Sequence, residues 1–163
     1  MKVAGKIVCA TLAVLGLSGC GFRLQGSYPL PGSLAVVRIE AIDTQSDFYF
    51  GLRKALLAAG TRIDDTGKDP SAAVINVLVD STKDTILTVS TLNIPTEYEL
   101  SYTVRFSVDA MGHELIAPEE RMMVRDYSYS ESAQLAKERE QAILSTALAH
   151  DLAAVVMRRL SSL

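Results

Sequence analysis

Hydrophobic and polar residues alternate without a break over residues 97–110. Tyr98, Leu100, Tyr102, Val104, Phe106, Val108 and Ala110 take one side of the pattern. Glu97, Glu99, Ser101, Thr103, Arg105, Ser107 and Asp109 take the other. Fourteen residues of period two predict a long strand with one face on a core and one face polar. Residues 72–80 form a nearly continuous apolar run and read as a strand buried on both faces, continuing in more polar form through 85–91. Leu92-Asn93-Ile94-Pro95 reads as the turn between the two. The Val- and Ile-rich stretch 34–41 reads as a first strand and 61–64 as a short one. Met111-Gly112-His113 turns the chain after the long strand. Pro118 splits the next segment, and 121–129 resumes as a strand.

In two places the period changes to that of a helix. Over 47–59, Phe48, Leu52, Ala55, Leu56 and Ala59 share one face, with Ser46 placed as N-cap and Gly60 just past the end. The last helix runs to about Leu160 and is capped by Ser130 or Ser132. Leu144, Leu148, Leu152, Val155 and Arg159 follow one stripe, which Ile143, Val156 and Leu160 widen. Arg158 and Arg159 in its last turn suit the negative end of the helix dipole. At ~1.5 Å per residue this helix is roughly 43 Å long, and at ~3.4 Å per residue the 97–110 strand is roughly 47 Å. These matched lengths predict an elongated α+β two-layer sandwich. Two helices pack on one face of a mostly antiparallel or mixed sheet of about four to five strands.

The N-terminus follows another pattern. Lys2 and Lys6 precede an apolar run over 7–17, which is the length of a secretory h-region and too short for a permanent span. Leu17-Ser18-Gly19-Cys20 then matches a lipobox, in which small residues precede a cysteine that is diacylated before cleavage. The expected organisation is a leader over 1–19, a lipid-anchored extended lead-in over 20–33 holding two Pro and three Gly, and a single domain over 34–163. More than one acyl chain is needed for stable anchoring, and an acylated Cys20 with palmitate supplies it. In proteobacterial lipoproteins an Asp after the cysteine resembles an inner-membrane retention signal. Gly21 therefore points to the outer membrane.

Composition narrows the chemistry. Cys9 leaves with the leader and Cys20 is consumed by lipid, so no disulfide is expected and stability must come from a core. The remaining 144 residues suffice for one domain. Loss of Lys2 and Lys6 takes the formal net charge from −3 to −5, which argues against nucleic acid as a partner. His113 and His150 have no ligand at metal spacing, and no nucleophile elbow or Ser-x-x-Lys occurs. No metal, cofactor or enzymatic activity is expected. Two non-catalytic features remain. The polar strand face bearing Glu97, Thr103 and Arg105 suits a docking surface. Lys137 at the start of the last helix, with Arg121 and Arg125 beside Tyr127 and Tyr129, suits an anionic amphiphile.

Cys20-Gly21-Phe22-Arg23-Leu24-Gln25-Gly26 resembles the mature start of the lipopolysaccharide-assembly lipoprotein family LptE. Leu52-Arg53-Lys54-Ala55-Leu56 followed by Gly60 resembles that family's first helix. Lys83-Asp84-Thr85 and Glu97-Tyr98-Glu99-Leu100 resemble its central hairpin, and Leu135-Ala136-Lys137 with Glu138 to Glu140 resembles the start of its final helix. The resemblance implies an outer-membrane lipoprotein that seats inside the β-barrel protein LptD, assists the barrel's assembly and plugs the lipopolysaccharide translocon. It also implies direct binding of lipopolysaccharide, with basic residues at the hairpin and at the last helix. Lys137 matches the second position. The turn Ser90-Thr91-Leu92-Asn93-Ile94-Pro95 has no basic residue for the first. Read from the residues alone, a lipoprotein subunit of another envelope lipid transporter, a lipid-held periplasmic enzyme and a purely structural lipoprotein stay open.

Overall fold

The computed structural model describes residues 28–128 and 134–163, with side chains from residue 138 onward in the second stretch. A short 3-10 turn at Gly32–Leu34 leads into β1 (Val36–Ala41). Helix α1 (Asp47–Ala58), β2 (Arg62–Ile63), β3 (Ala73–Val89), β4 (Pro95–Ala110), β5 (His113–Ser128) and α2 (Gln134–Leu160) follow. The five strands form one mixed sheet in the order β2-β1-β3-β4-β5. β1 pairs parallel with β2 and β3, and β3, β4 and β5 form an antiparallel meander. This is the α+β sandwich expected from the sequence.

Local chemistry sets the boundaries of α1. Ser46 Oγ accepts a hydrogen bond from the Tyr49 N–H at 3.0 Å, and Asp47 adds negative charge to the first turn. The helix ends before Gly60, whose φ of +88° is the left-handed conformation that a side chain disfavours. Gly51 serves a different purpose. A Cβ built there would lie 3.0 Å from His150 Nδ1 and 3.4 Å from the Ala153 Cβ, so its missing side chain lets α1 and α2 approach closely.

The alternation of β4 is realised as predicted. Leu100, Tyr102, Val104, Phe106, Val108 and Ala110 are all buried. They join Val37 of β1, Ile75 and Val77 of β3, Leu52 and Leu56 of α1, and Leu148, Leu152 and Val156 of α2 in one core. Both helices lie on that face. Among the described residues no helix covers the other face.

Two local expectations need correction. β3 is buried on one face only: Ala73, Ile75 and Val77 are inside, whereas Val74 and Asn76 are half-buried and Leu78 is exposed. Leu78 falls on the same side as Val74 and Asn76, and a register shift between Val77 and Val79 leaves it unpaired and turns Asp80 to the core side, opposite Val104. Pro118 does not split a strand. β5 runs unbroken through it, because Pro118 lies on the edge strand and within an irregular stretch of the ladder where it has no partner, the two settings in which a missing N–H is tolerated. A register shift between Phe106 and Val108 accommodates the irregularity. The expected caps Ser130 and Ser132 lie outside the described residues.

Candidate partner-binding face

The period-two pleat sorts the candidate residues onto two sides of the sheet. Glu97, Thr103 and Arg105 stand on the helix-free face of β4, with Glu97 and Arg105 exposed and Thr103 half-buried. Thr88 Oγ1 donates to Glu97 Oε2 at 2.6 Å, tying the outer ends of β3 and β4 together. Further down the same face, Asn76 Nδ2 donates to Asp109 Oδ2 at 2.9 Å and to Ser107 Oγ at 3.4 Å. Thr103 pairs with Ser81 on one side and Met122 on the other, so this face is a wide polar surface framed by apolar residues of the edge strand.

Arg121 and Arg125 point to the opposite side. They lie across from Val104 and Leu100, the core-facing positions of β4. Arg121 sits 3.3 Å from Glu119, and Arg125 sits 3.7 Å from Asp151 of α2. Each arginine therefore already has a carboxylate neighbour, while more than half of the Arg125 side chain remains open to water. Tyr127 stacks on Tyr98 with ring centroids 5.4 Å apart. The structure does not bring Arg121 and Arg125 together with Arg105. Cys20 and Tyr129 lie outside the described residues, as does the side chain of Lys137, whose backbone belongs to α2.

One feature escaped the sequence reading. Residues 85–96 at the end of the β3–β4 hairpin carry no ionisable side chain, and Ile86, Leu87, Val89 and Leu92 there are 48 to 79 % exposed. The signal was present as a gap in charge twelve residues long, flanked by Asp84 and Glu97. Ser90 closes this end: its Oγ accepts from the N–H groups of Leu92 and Ile94, and Asn93 takes a φ of +61°. A shallow hollow of about 290 Å³, lined by Leu87, Glu97, Asp126, Tyr127 and Ser128, opens beside it.

The core side of the hairpin holds a partly buried polar knot. Tyr102 OH donates to Asp80 Oδ1 at 2.7 Å, and Ser46 Oγ donates to Asp80 Oδ2. The N-cap of α1 is thereby fastened to the middle of the hairpin. Burial, reinforced by Asp80, pushes the Tyr102 hydroxyl well above the ordinary tyrosine range. Burial, with Asp84 nearby, pushes Tyr127 up to about 12. A free tyrosine ionises near pH ~10. As pH rises from there, the unfolded chain releases these protons while the folded chain holds them. The stabilisation is complete below pH ~10 and is lost as pH climbs toward the folded values. Urea midpoints are expected to fall between about pH 10 and 12, and Tyr127→Phe is expected to make the fall shallower.

The described residues hold no group of three His, Cys, Asp or Glu side chains placed to bind a metal, and none of their helices is long and apolar enough to cross a membrane. Comparison with known proteins supplies the decisive observation. Residues 34–160 match the model of the lipopolysaccharide-assembly family LptE. The chain belongs to the LptE family. Within that family, an LPS-assembly lipoprotein LptE from Yersinia enterocolitica is 26% identical over 149 residues, covering 91% of this chain and 72% of the relative. An LptE from Pectobacterium atrosepticum is 27% identical over 150 residues, covering 91% and 80%. The fold is also that of solved lipoproteins. The rare lipoprotein B of Shewanella oneidensis superposes with a TM-score of 0.69 at 24% identity, over 78% of this chain and 94% of that one. A lipoprotein B of Nitrosomonas europaea gives 0.70 at 23%, over 87% and 91%. LptE membership thus spans nearly the whole domain expected from the sequence.

Proposed function

We propose that this chain is an outer-membrane lipoprotein, anchored through acylated Cys20, that seats within an LptD-type β-barrel and assists its assembly in the lipopolysaccharide transport complex. The observation that carries the reading is the helix-free face of the long β3–β4 hairpin in a chain of the LptE family. This face carries Glu97, Thr103 and Arg105 at intervals along one side of β4, and a barrel lumen is lined by polar residues that such a face can meet. The role is one of binding and shape, without catalysis.

Direct contact with lipopolysaccharide phosphates is the finer part of the proposal and falls to Lys137, with Arg125 and Arg121 behind it. Arginine and lysine suit phosphate oxygens. The exposed half of Arg125 supports this assignment, and its proximity to Asp151 limits its strength.

Cysteine-directed crosslinking in the envelope tests the seating. The full chain, carrying Thr103→Cys or Lys137→Cys, is expected to crosslink to a large β-barrel protein that co-purifies at about one-to-one. Crosslinks arising only from the outward face of α1, for example from Lys54→Cys, would reverse the assigned orientation. Absence of any barrel partner would remove the reading.

A further inference from the structure

β5 is the terminal strand of the sheet, so among the described residues one side of its backbone faces no neighbouring strand. An unpaired edge is a template for another strand unless something guards it. The first half of β5 is guarded by Pro118, Glu119 and Glu120. The second half is different. Residues 120–126 read Glu-Arg-Met-Met-Val-Arg-Asp, so the charges run negative, positive, three apolar residues, positive, negative. Met122 and Val124 are 61% and 42% exposed. With Glu120 and Asp126 they occupy the helix-free face, while Arg121, Met123 and Arg125 occupy the other.

This order of charges reads the same in both directions, which matters for what can add to the edge. An antiparallel second copy centred on Met123 would set Glu120 against Asp126 and Arg121 against Arg125, like charge against like at every flanking position. Sliding by two residues one way brings Pro118 into the ladder. Sliding the other way sets Met122 against Asp126. A strand with the inverse order meets opposite charge at each of the same positions. The present neighbours do not prevent this. Glu120 lies across from Arg105, Asp126 across from Glu99, Arg121 beside Glu119 and Arg125 beside Asp151. The two ion pairs among these contacts, Arg121–Glu119 and Arg125–Asp151, are partly exposed, and such pairs hold weakly.

We propose that the outer edge of β5 over residues 120–126 is a strand-addition site for a heterologous polypeptide segment, antiparallel to β5, whose side chains run basic, acidic, three apolar, acidic, basic. The added backbone takes up the free N–H and C=O groups, its apolar residues cover Met122 and Val124, and its charges complement the four flanking ones. The site goes beyond the seating described above, which uses the face of the sheet and not its edge; where a strand is added, Arg121 and Arg125 face its acidic residues and the phosphate contact falls to Lys137 alone.

The test uses the full chain in mild detergent and two dye-labelled heptapeptides, Lys-Glu-Val-Ile-Val-Glu-Lys and its charge inverse Glu-Lys-Val-Ile-Val-Lys-Glu. Fluorescence anisotropy is expected to show the first binding at least tenfold more tightly, with slowed amide hydrogen exchange confined to β5 near residues 120–126. Glu120→Lys with Asp126→Lys alters two exposed side chains and leaves the core untouched. It is expected to transfer the preference to Glu-Glu-Val-Ile-Val-Glu-Glu. Equal affinity for the first two peptides, binding of neither, or protection elsewhere in the sheet overturns the proposal. A photocrosslinker in place of Met122 that captures a second copy of the chain overturns it as well. None of these results bears on whether a barrel co-purifies, so the two readings fail separately.

Discussion

Phe106→Ala is expected to lower the unfolding free energy by about 3–5 kcal/mol, read as a drop in urea midpoint with the slope unchanged. Phe106 is fully buried in the central part of β4. Its register neighbours are Val77 on β3 and Glu119 on β5, so the side chain stands over the middle of the antiparallel meander. The core it belongs to draws on both helices and four of the strands. Truncating it removes a large apolar surface and leaves a cavity that a sheet pinned by long ladders relaxes into poorly. A single domain has only about 5–15 kcal/mol in hand, so this one change removes roughly a fifth or more of it. Leu92→Ala is the matched control. Leu92 is 79% exposed at the hairpin end, and its loss is expected to shift stability by less than ~0.5 kcal/mol. Equal effects from the two variants would mean that the burial pattern of β4 is not what holds the domain.

The two variants also mark what sequence could and could not deliver. β4 was legible because fourteen residues in strict alternation leave one solution, and α1 because Ser46 and Gly60 bracket a stripe of period 3.6. The burial of β3 was not legible because Val, Ile and Leu over 72–80 look alike whichever way they point. A register shift at Leu78 and a bare outer face cannot be seen in a run of apolar letters. Pro118 misleads because the rule against proline holds inside a sheet, and edge position is a property of strand order. The candidate site divided in the same way. Its residue types were visible, and so was the shared polar face of Glu97, Thr103 and Arg105, but the side taken by Arg121 and Arg125 was not. Arg105 and Arg121 fall on opposite faces only because β5 pairs with β4 in the register that sets Arg121 against Val104. The charge palindrome over 120–126 was present as letters throughout. It acquired meaning once that strand proved to be the edge.

Cys20→Ala is expected to abolish incorporation of labelled palmitate and to reduce the outer-membrane share of the chain at least tenfold. This prediction rests on the proposed anchor. Cys9 lies within the leader, so Cys20 is the one cysteine left in the mature chain and loss of label reports on a single residue. Each buried methylene contributes about 0.8 kcal/mol to membrane binding, and a single myristoyl chain holds only marginally. Two or three acyl chains therefore make release negligible on the time scale of a fractionation. A water-facing domain of net charge −5 without them has no comparable hold. The variant has a second consequence that separates lipidation from ordinary secretion. Cleavage before Cys20 requires the acylated cysteine, so the alanine chain retains residues 1–19. The uncleaved leader, with Lys2 and Lys6 ahead of its apolar run over 7–17, stays with the inner membrane through which it was exported, although the run is too short to serve as a mature transmembrane helix. Density-gradient fractions are expected to show a chain heavier by the leader peptide, unlabelled and displaced from the outer to the inner membrane. If the variant were cleaved and exported normally, the leader would be an ordinary secretory signal, and the seating in the barrel would have to be reached from solution.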